Sequence, residues 1–181
     1  MEQTRWLDQE EQLTWRTFML ATKQLWEQLE REVDQGTEVP SAYYETLVRL
    51  SEAPDRRLRL SELADQSQSS RSRLSHSLAR LEALGWIQRE ACASDRRGAY
   101  ALLTDAGFAA LEAAAPVHVE SVRQHLFDVL GPGELVQLRT ISQRILEHLV
   151  AVRGTTPSVQ GLLGALGTCL SSSASGISPS C

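Results

Sequence analysis

Asp95-Arg96-Arg97-Gly98-Ala99-Tyr100-Ala101-Leu102-Leu103-Thr104-Asp105-Ala106-Gly107 is the stretch on which the reading of this chain turns. Its charged opening ends in glycine and lies between two short apolar runs, Trp86-Ile87-Gln88-Arg89 and Ala99-Tyr100-Ala101-Leu102-Leu103. A charged, glycine-containing tip between two strands reads as a β-hairpin wing. Such a wing is the right size to lie on a phosphate backbone or to dip into a minor groove. Thr104 is a natural N-cap for the next helix, expected from about Asp105 to Leu130. Pro116 falls inside that helix and predicts a kink or a local break.

The residues before the wing read as a helix-turn-helix from Leu60 to Leu84. Ser61 is placed to cap a short helix over Glu62 to Gln66, Ser67-Gln68-Ser69 is the turn, and the second helix runs from about Ser70 to Leu84. Gly85 stops it. At 100° per residue Leu74, Leu78 and Leu81 share one face. Ser72 and His76 project opposite, with Arg73 and Arg80 on one flank and Ser75 on the other. Leu58 and Leu60 suggest a short strand that pairs with the wing.

Three further helices frame this unit. Trp15, Phe18, Met19, Leu25, Trp26, Leu29 and Val33 recur at helical spacing, giving a long helix from about Asp8 to Gln35 that Gly36 ends. Pro40 opens a second helix carrying Tyr43, Tyr44, Leu47, Val48 and Leu50. Gly131-Pro132-Gly133 turns the chain into a last helix with Leu135, Leu138, Ile145, Leu146 and Leu149 on one stripe. These stripes exceed what a small lobe can cover, so a homodimer is expected. The organised unit spans residues 1–153. Residues 154–181, rich in Ser and Gly and without a charged residue from Thr155 onward, are expected to be a disordered tail.

The net charge of −5 does not suggest a polyanion binder, but its distribution does. Nine arginines and only five acidic residues lie between Arg56 and Arg97, so this segment carries +4 and the remainder −9. Local field decides whether a polyanion is attracted. Arginine, rather than lysine, suits bidentate contacts to phosphate and guanine. If this is a helix-turn-helix, the first turns of its second helix enter the major groove. Ser72, Arg73, Ser75 and His76 then meet base edges, while Arg71 and Arg80 meet phosphate.

Asp95, Arg97, Leu103, Thr104 and Gly107 also fit the pattern D-x-R-x5-L-T-x-x-G, and the order helix, helix-turn-helix, wing, two long helices resembles the MarR family of bacterial transcription regulators from about Leu7 to Arg153. The resemblance implies a mainly α fold: a winged helix-turn-helix with a two-stranded wing and long terminal dimerisation helices. It implies a homodimeric repressor on a pseudo-palindromic operator in double-stranded DNA, released by a small ligand. It implies that Arg97 reaches the minor groove or its phosphates, with Arg96 beside it. For Asp95 it implies an ion pair that fixes the wing, with Arg73 or Arg97 as partner; the plain alternative is a turn-forming residue. The effector pocket of the family lies between the dimerisation helices and the winged lobe, which points to Trp15, Phe18, Tyr43 and Tyr44 and to an aromatic or amphipathic effector.

Other features read plainly. Cys92, Cys169 and Cys181 have neither metal spacing nor a disulfide framework, and Cys92 reads as a small buried thiol. His118 and His125 are seven apart, but no carboxylate or cysteine stands at ligand spacing, so packed or solvated histidines are expected and no metal or cofactor. Gly161, Gly164 and Gly167 follow no strand and make no phosphate loop. With no nucleophile–base set either, an enzyme is not expected. The absence of an apolar run long enough to span a bilayer, and a polar Met1 to Glu11, point to the cytoplasm and to no membrane partner. The rival reading is a winged-helix protein-interaction module that does not bind DNA.

Overall fold

The computed structural model describes residues 4–66, 71–91 and 98–153. Its first helix, α1 (Gln9–Gly36), starts at a capping box in which Asp8 accepts from the Glu11 N–H and Glu11 accepts from the Asp8 N–H. The α2 helix (Ser41–Glu52) follows, its first N–H held by Asp34 at 2.7 Å. A 3-10 turn at Pro54–Arg56 then leads into β1 (Arg57–Arg59). Asp55 and Arg56 both take positive φ in that turn. Arg56 stacks on Phe108 at 3.8 Å and pairs with Asp105 at 3.1 Å, which clamps the strained turn to the next lobe.

The central unit comprises α3 (Leu60–Gln66), α4 (Arg71–Ala83), β2 (Ile87–Ala91) and β3 (Ala99–Leu103). The sheet is antiparallel in the order β1-β3-β2, with Leu58 opposite Ala101 and Ile87 opposite Leu103. The core gathers Leu47 and Leu50 of α2, Leu63 of α3, Leu78 and Leu81 of α4 and Ile87 of β2, all at 2% exposure or less. Each such side chain contributes about 1.5–3 kcal/mol by leaving water.

The helix α5 (Asp105–Val122) packs on α1 and α2 and runs unbroken through Pro116. A π-helical turn, Arg123–Phe127, follows, and α6 (Pro132–Arg153) closes the described chain. This corrects two expectations: the helical interruption lies at 123–127 rather than at Pro116, and α5 ends at Val122 rather than near Leu130. A third correction concerns Ser61, which lies inside α3 and not at its cap; the carboxylate of Glu62 takes the Arg59 N–H instead, at 3.3 Å. No described helix is long and apolar enough to cross a membrane. The tail, 154–181, lies outside the described residues, as do Cys92, Asp95, Arg96 and Arg97.

Candidate nucleic-acid interface

The face of α4 is set by its leucines. Leu74, Leu78 and Leu81 are 5%, 2% and 0% exposed, which forces Ser72, Ser75, His76 and Arg80 outward. Arg71 and Arg73 occupy the first turn of the same helix. The helix ends in a Schellman motif: Trp86 N–H reaches the Leu81 carbonyl at 3.0 Å and Gly85 N–H the Glu82 carbonyl at 2.9 Å. Gly85 takes φ +72, a conformation glycine adopts without strain.

The hairpin is fastened to that helix end at three points. Arg89 of β2 pairs with Glu82 of α4 at 3.3 Å. The Thr104 hydroxyl donates to the Gly85 carbonyl at 2.7 Å, and the Thr104 N–H donates to the Trp86 carbonyl at 3.0 Å. The register Ala91 opposite Ala99 closes the described part of the hairpin on this fixed base. At the other edge, Tyr100 is bracketed by Arg57, 4.1 Å from its ring, and Arg59, whose Nε donates to the phenol oxygen at 3.1 Å.

A second site lies between α2 and α5. It is an apolar cavity of about 370 Å³ lined by Tyr44, Val48 and Glu52 of α2, by Leu111, Ala115 and His118 among others of α5, and by Arg123 and Phe127 of the π turn. The rings of Tyr44 and His118 meet at 4.6 Å. Burial pushes the His118 pKa below its ordinary value, favouring a neutral ring. Burial raises that of Glu52, against the opposing pull of Arg49. Apolar walls with a few polar groups at the rim suit a small amphipathic molecule.

Of the four aromatics expected in a pocket, the structure places only Tyr44 in this cavity. Tyr43 packs at the edge of the core. Trp15 and Phe18 lie on the first half of α1, 54% and 48% exposed, and are not brought to the cavity. The α5 wall could not be read from sequence, because His118 looked like any helical histidine until Tyr44 was set against it. The pair of His125 Nε2 and Glu32 Oε1, 2.7 Å apart across 93 residues, was equally invisible. Among the described residues no group of three His, Cys, Asp or Glu is placed to hold a metal.

The sequence and fold have counterparts in known proteins. Residues 38–98 match the family model of the MarR family. The fold superposes on Sco3205 from Streptomyces coelicolor, a MarR family transcriptional regulator solved in complex with DNA, with TM-score 0.76, 46% identity, and 82% of this chain and 93% of that one covered. AbsC, a MarR family regulator from the same organism, superposes with TM-score 0.74 and 43% identity over 84% of this chain and all of that one. The transcriptional regulator PecS of Dickeya dadantii is 36% identical over 93 residues, which span 50% of this chain and 54% of PecS, about half its length. A two-stranded hairpin fixed to the end of an amphipathic α4, and near-complete coverage of relatives above 40% identity, lead to one conclusion: this chain belongs to the MarR family of transcriptional regulators.

Proposed function

We propose that the chain is a homodimeric repressor that binds a pseudo-palindromic operator in double-stranded DNA and releases it when a small aromatic or amphipathic ligand enters. The observation that carries this reading is the outward face of α4, Ser72, Ser75, His76 and Arg80, set beside a hairpin that Arg89 and Thr104 tie to the same helix. A helix of this kind in the major groove meets base edges with its first turns. Ser72, Arg73, Ser75 and His76 are the residues so placed in our reading, with Arg71 and Arg80 toward phosphate. Arg96 and Arg97 at the hairpin tip reach the adjacent minor groove or its backbone, and Asp95 fixes the tip. The complex of Sco3205 with DNA supports the assignment, since that relative is 46% identical.

The homodimer is supported by apolar surface that one protomer leaves open. Leu138, Ile141, Ile145 and Leu149 of α6 are 37–55% exposed, and Trp15, Phe18, Met19 and Trp26 of α1 are 46–57% exposed. A second copy with two-fold symmetry covers both surfaces and sets two α4 helices about one DNA turn (~34–36 Å) apart. The cavity behind Tyr44 is the effector site in this scheme. A ligand there acts by favouring a lobe spacing that no longer matches successive grooves. The place of action is the cytoplasm, and residues 154–181 have no part in binding.

Footprinting of the full chain on its own upstream DNA tests the reading. Protection of an inverted repeat, weakening steeply with salt, is the expected result. Uniform or absent protection overturns it and favours a protein-interaction module whose arginines pair with an acidic partner.

A further inference from the structure

The α6 helix leaves the body of the protomer through one short segment, and among the described residues it has no extended contact with any other element. Its apolar stripe nevertheless has to meet a partner together with a second surface, Trp15, Phe18, Met19 and Trp26 on α1. Two surfaces on two elements fit one rigid partner only at a fixed mutual angle. Among the described residues α6 has no extended contact of its own that would supply that angle.

The structure supplies it at the π turn. There His125 Nε2 lies 2.7 Å from Glu32 Oε1 of α1, with both side chains about one-third exposed or less. The same Glu32 oxygen accepts from Gln28 Nε2, one turn earlier on α1. The buried Ser121 hydroxyl of α5 makes no hydrogen bond of good geometry, yet it lies close enough to help stabilise the Glu32 charge. One carboxylate thus joins α1 to the π turn. On the outer side the turn is closed by Arg123 and Asp128, 3.6 Å apart, and by the Asp128 N–H on the Arg123 carbonyl at 2.8 Å. After the four residues 128–131 the chain enters α6.

We infer that Glu32 and His125 are positioning residues for subunit assembly: their pairing pins the π turn to α1 and so fixes the direction in which α6 presents its apolar stripe. This rests on the homodimer reading. Loss of the pin is expected to leave the α2–α4 core untouched, since neither residue belongs to it. Because Arg123 and Phe127 of the same turn line the Tyr44 cavity, the pin also joins that cavity to the assembly arm.

The test is the dimer dissociation constant of the full chain, by sedimentation over a dilution series. It compares wild type, Glu32→Ala, His125→Ala, the double variant, and the exchange Glu32→His with His125→Glu. Each single alanine is expected to weaken the dimer about tenfold, the double variant no further than either single, and the exchange to recover most of the loss. Helical content at high concentration stays at the wild-type level. Unchanged dissociation in both alanine variants overturns the inference, as does a double variant whose loss is the product of the two singles. A wild type that is monomeric at micromolar concentration overturns the homodimer reading itself, and with it this one; a dimeric wild type with unaffected variants overturns the pin alone. Should His125→Ala fail to fold, His125→Gln against His125→Leu gives the same contrast. The donor-bearing Gln then dimerises more tightly than Leu, and equal values overturn the inference.

Discussion

The Thr104 hydroxyl donates to the carbonyl of Gly85 at 2.7 Å while accepting from the N–H of Gly107 at 3.0 Å. One side chain therefore caps α5 and holds the stop of α4. The close packing continues at Gly107, where a Cβ would stand 2.2 Å from the Trp86 carbonyl oxygen. That oxygen is itself fixed by the Thr104 N–H. The L-T-x-x-G run thus has a physical reason: it joins the end of α4, the hairpin and α5 at one point.

Gly107→Ala is accordingly expected to destabilise by ~1–3 kcal/mol, since backbone must move to admit the methyl group. Thr104→Val is expected to cost ~1–2 kcal/mol through the lost cap, and Thr104→Ser to stay near wild type. Urea unfolding at one fixed protein concentration reads both effects. A Gly107→Ala protein of unchanged midpoint would contradict the packing.

Glu32 is held at a pKa of about 2, against an ordinary 4.5, first by the Ser121 hydroxyl and then by His125 and Gln28. A depressed carboxylate contributes stability that is present above its unfolded value and is lost as the pH falls through the folded one. The stability gap between wild type and Glu32→Gln is therefore expected to hold steady above 4.5 and to close between 4.5 and about 2. Denaturant midpoints for the two proteins along an acid series check this. A gap that is flat across the series would show that Glu32 carries no such charge stabilisation.

Ile145 sits in the middle of the open α6 stripe at 45% exposure. Ile145→Glu is expected to weaken the dimer roughly a hundredfold or more, because a carboxylate would be buried there without a partner. Arg144→Gln, one residue along and off the stripe, is expected to leave assembly unchanged. Light scattering at micromolar concentration separates the two outcomes.

On the α4 face, His76→Ala is expected to relax preference at one or two base pairs by ~1–3 kcal/mol. Arg80→Ala and Arg97→Ala should instead weaken binding to all sequences alike and lower the salt slope by about 1 each. Binding isotherms on the footprinted site and its single-base variants, at several salt concentrations, give both quantities. A uniform loss for His76→Ala would move that residue from base reading to backbone contact.

The cavity of about 370 Å³ behind Tyr44 predicts a separation of functions. Ala115→Phe fills it and is expected to abolish ligand-driven release while leaving DNA affinity without ligand within a few-fold. A tenfold release needs only about 1.4 kcal/mol of differential affinity between the two lobe spacings. A panel of phenolic and aromatic acids, tested for release of labelled DNA, is the measurement. Release that persists in Ala115→Phe and in Tyr44→Ala would place the effector elsewhere.

By itself the sequence determined what depends on neighbours in the chain. The leucine spacing of α4, the glycine that ends it, the strands on either side of the tip and the Thr104 cap are local preferences of backbone and side chain, and all four stand within a residue or two of where they were read. Tertiary structure decided what depends on residues far apart. Trp15 and Phe18 share a helical stripe with Leu29 and Val33, yet every residue from Thr4 to Ala21 is exposed, because the body of the protomer reaches only the later turns of α1. Pro116 advertised a break that its neighbours absorb, whereas the π turn at 123–127 has no local mark. Ser61 lost its cap role because β1 runs directly into α3. The cavity required α2 and α5 to close on each other, and the Glu32–His125 pair required residues 93 positions apart to meet. Periodicity records which face of an element is apolar; only packing settles what that face lies against.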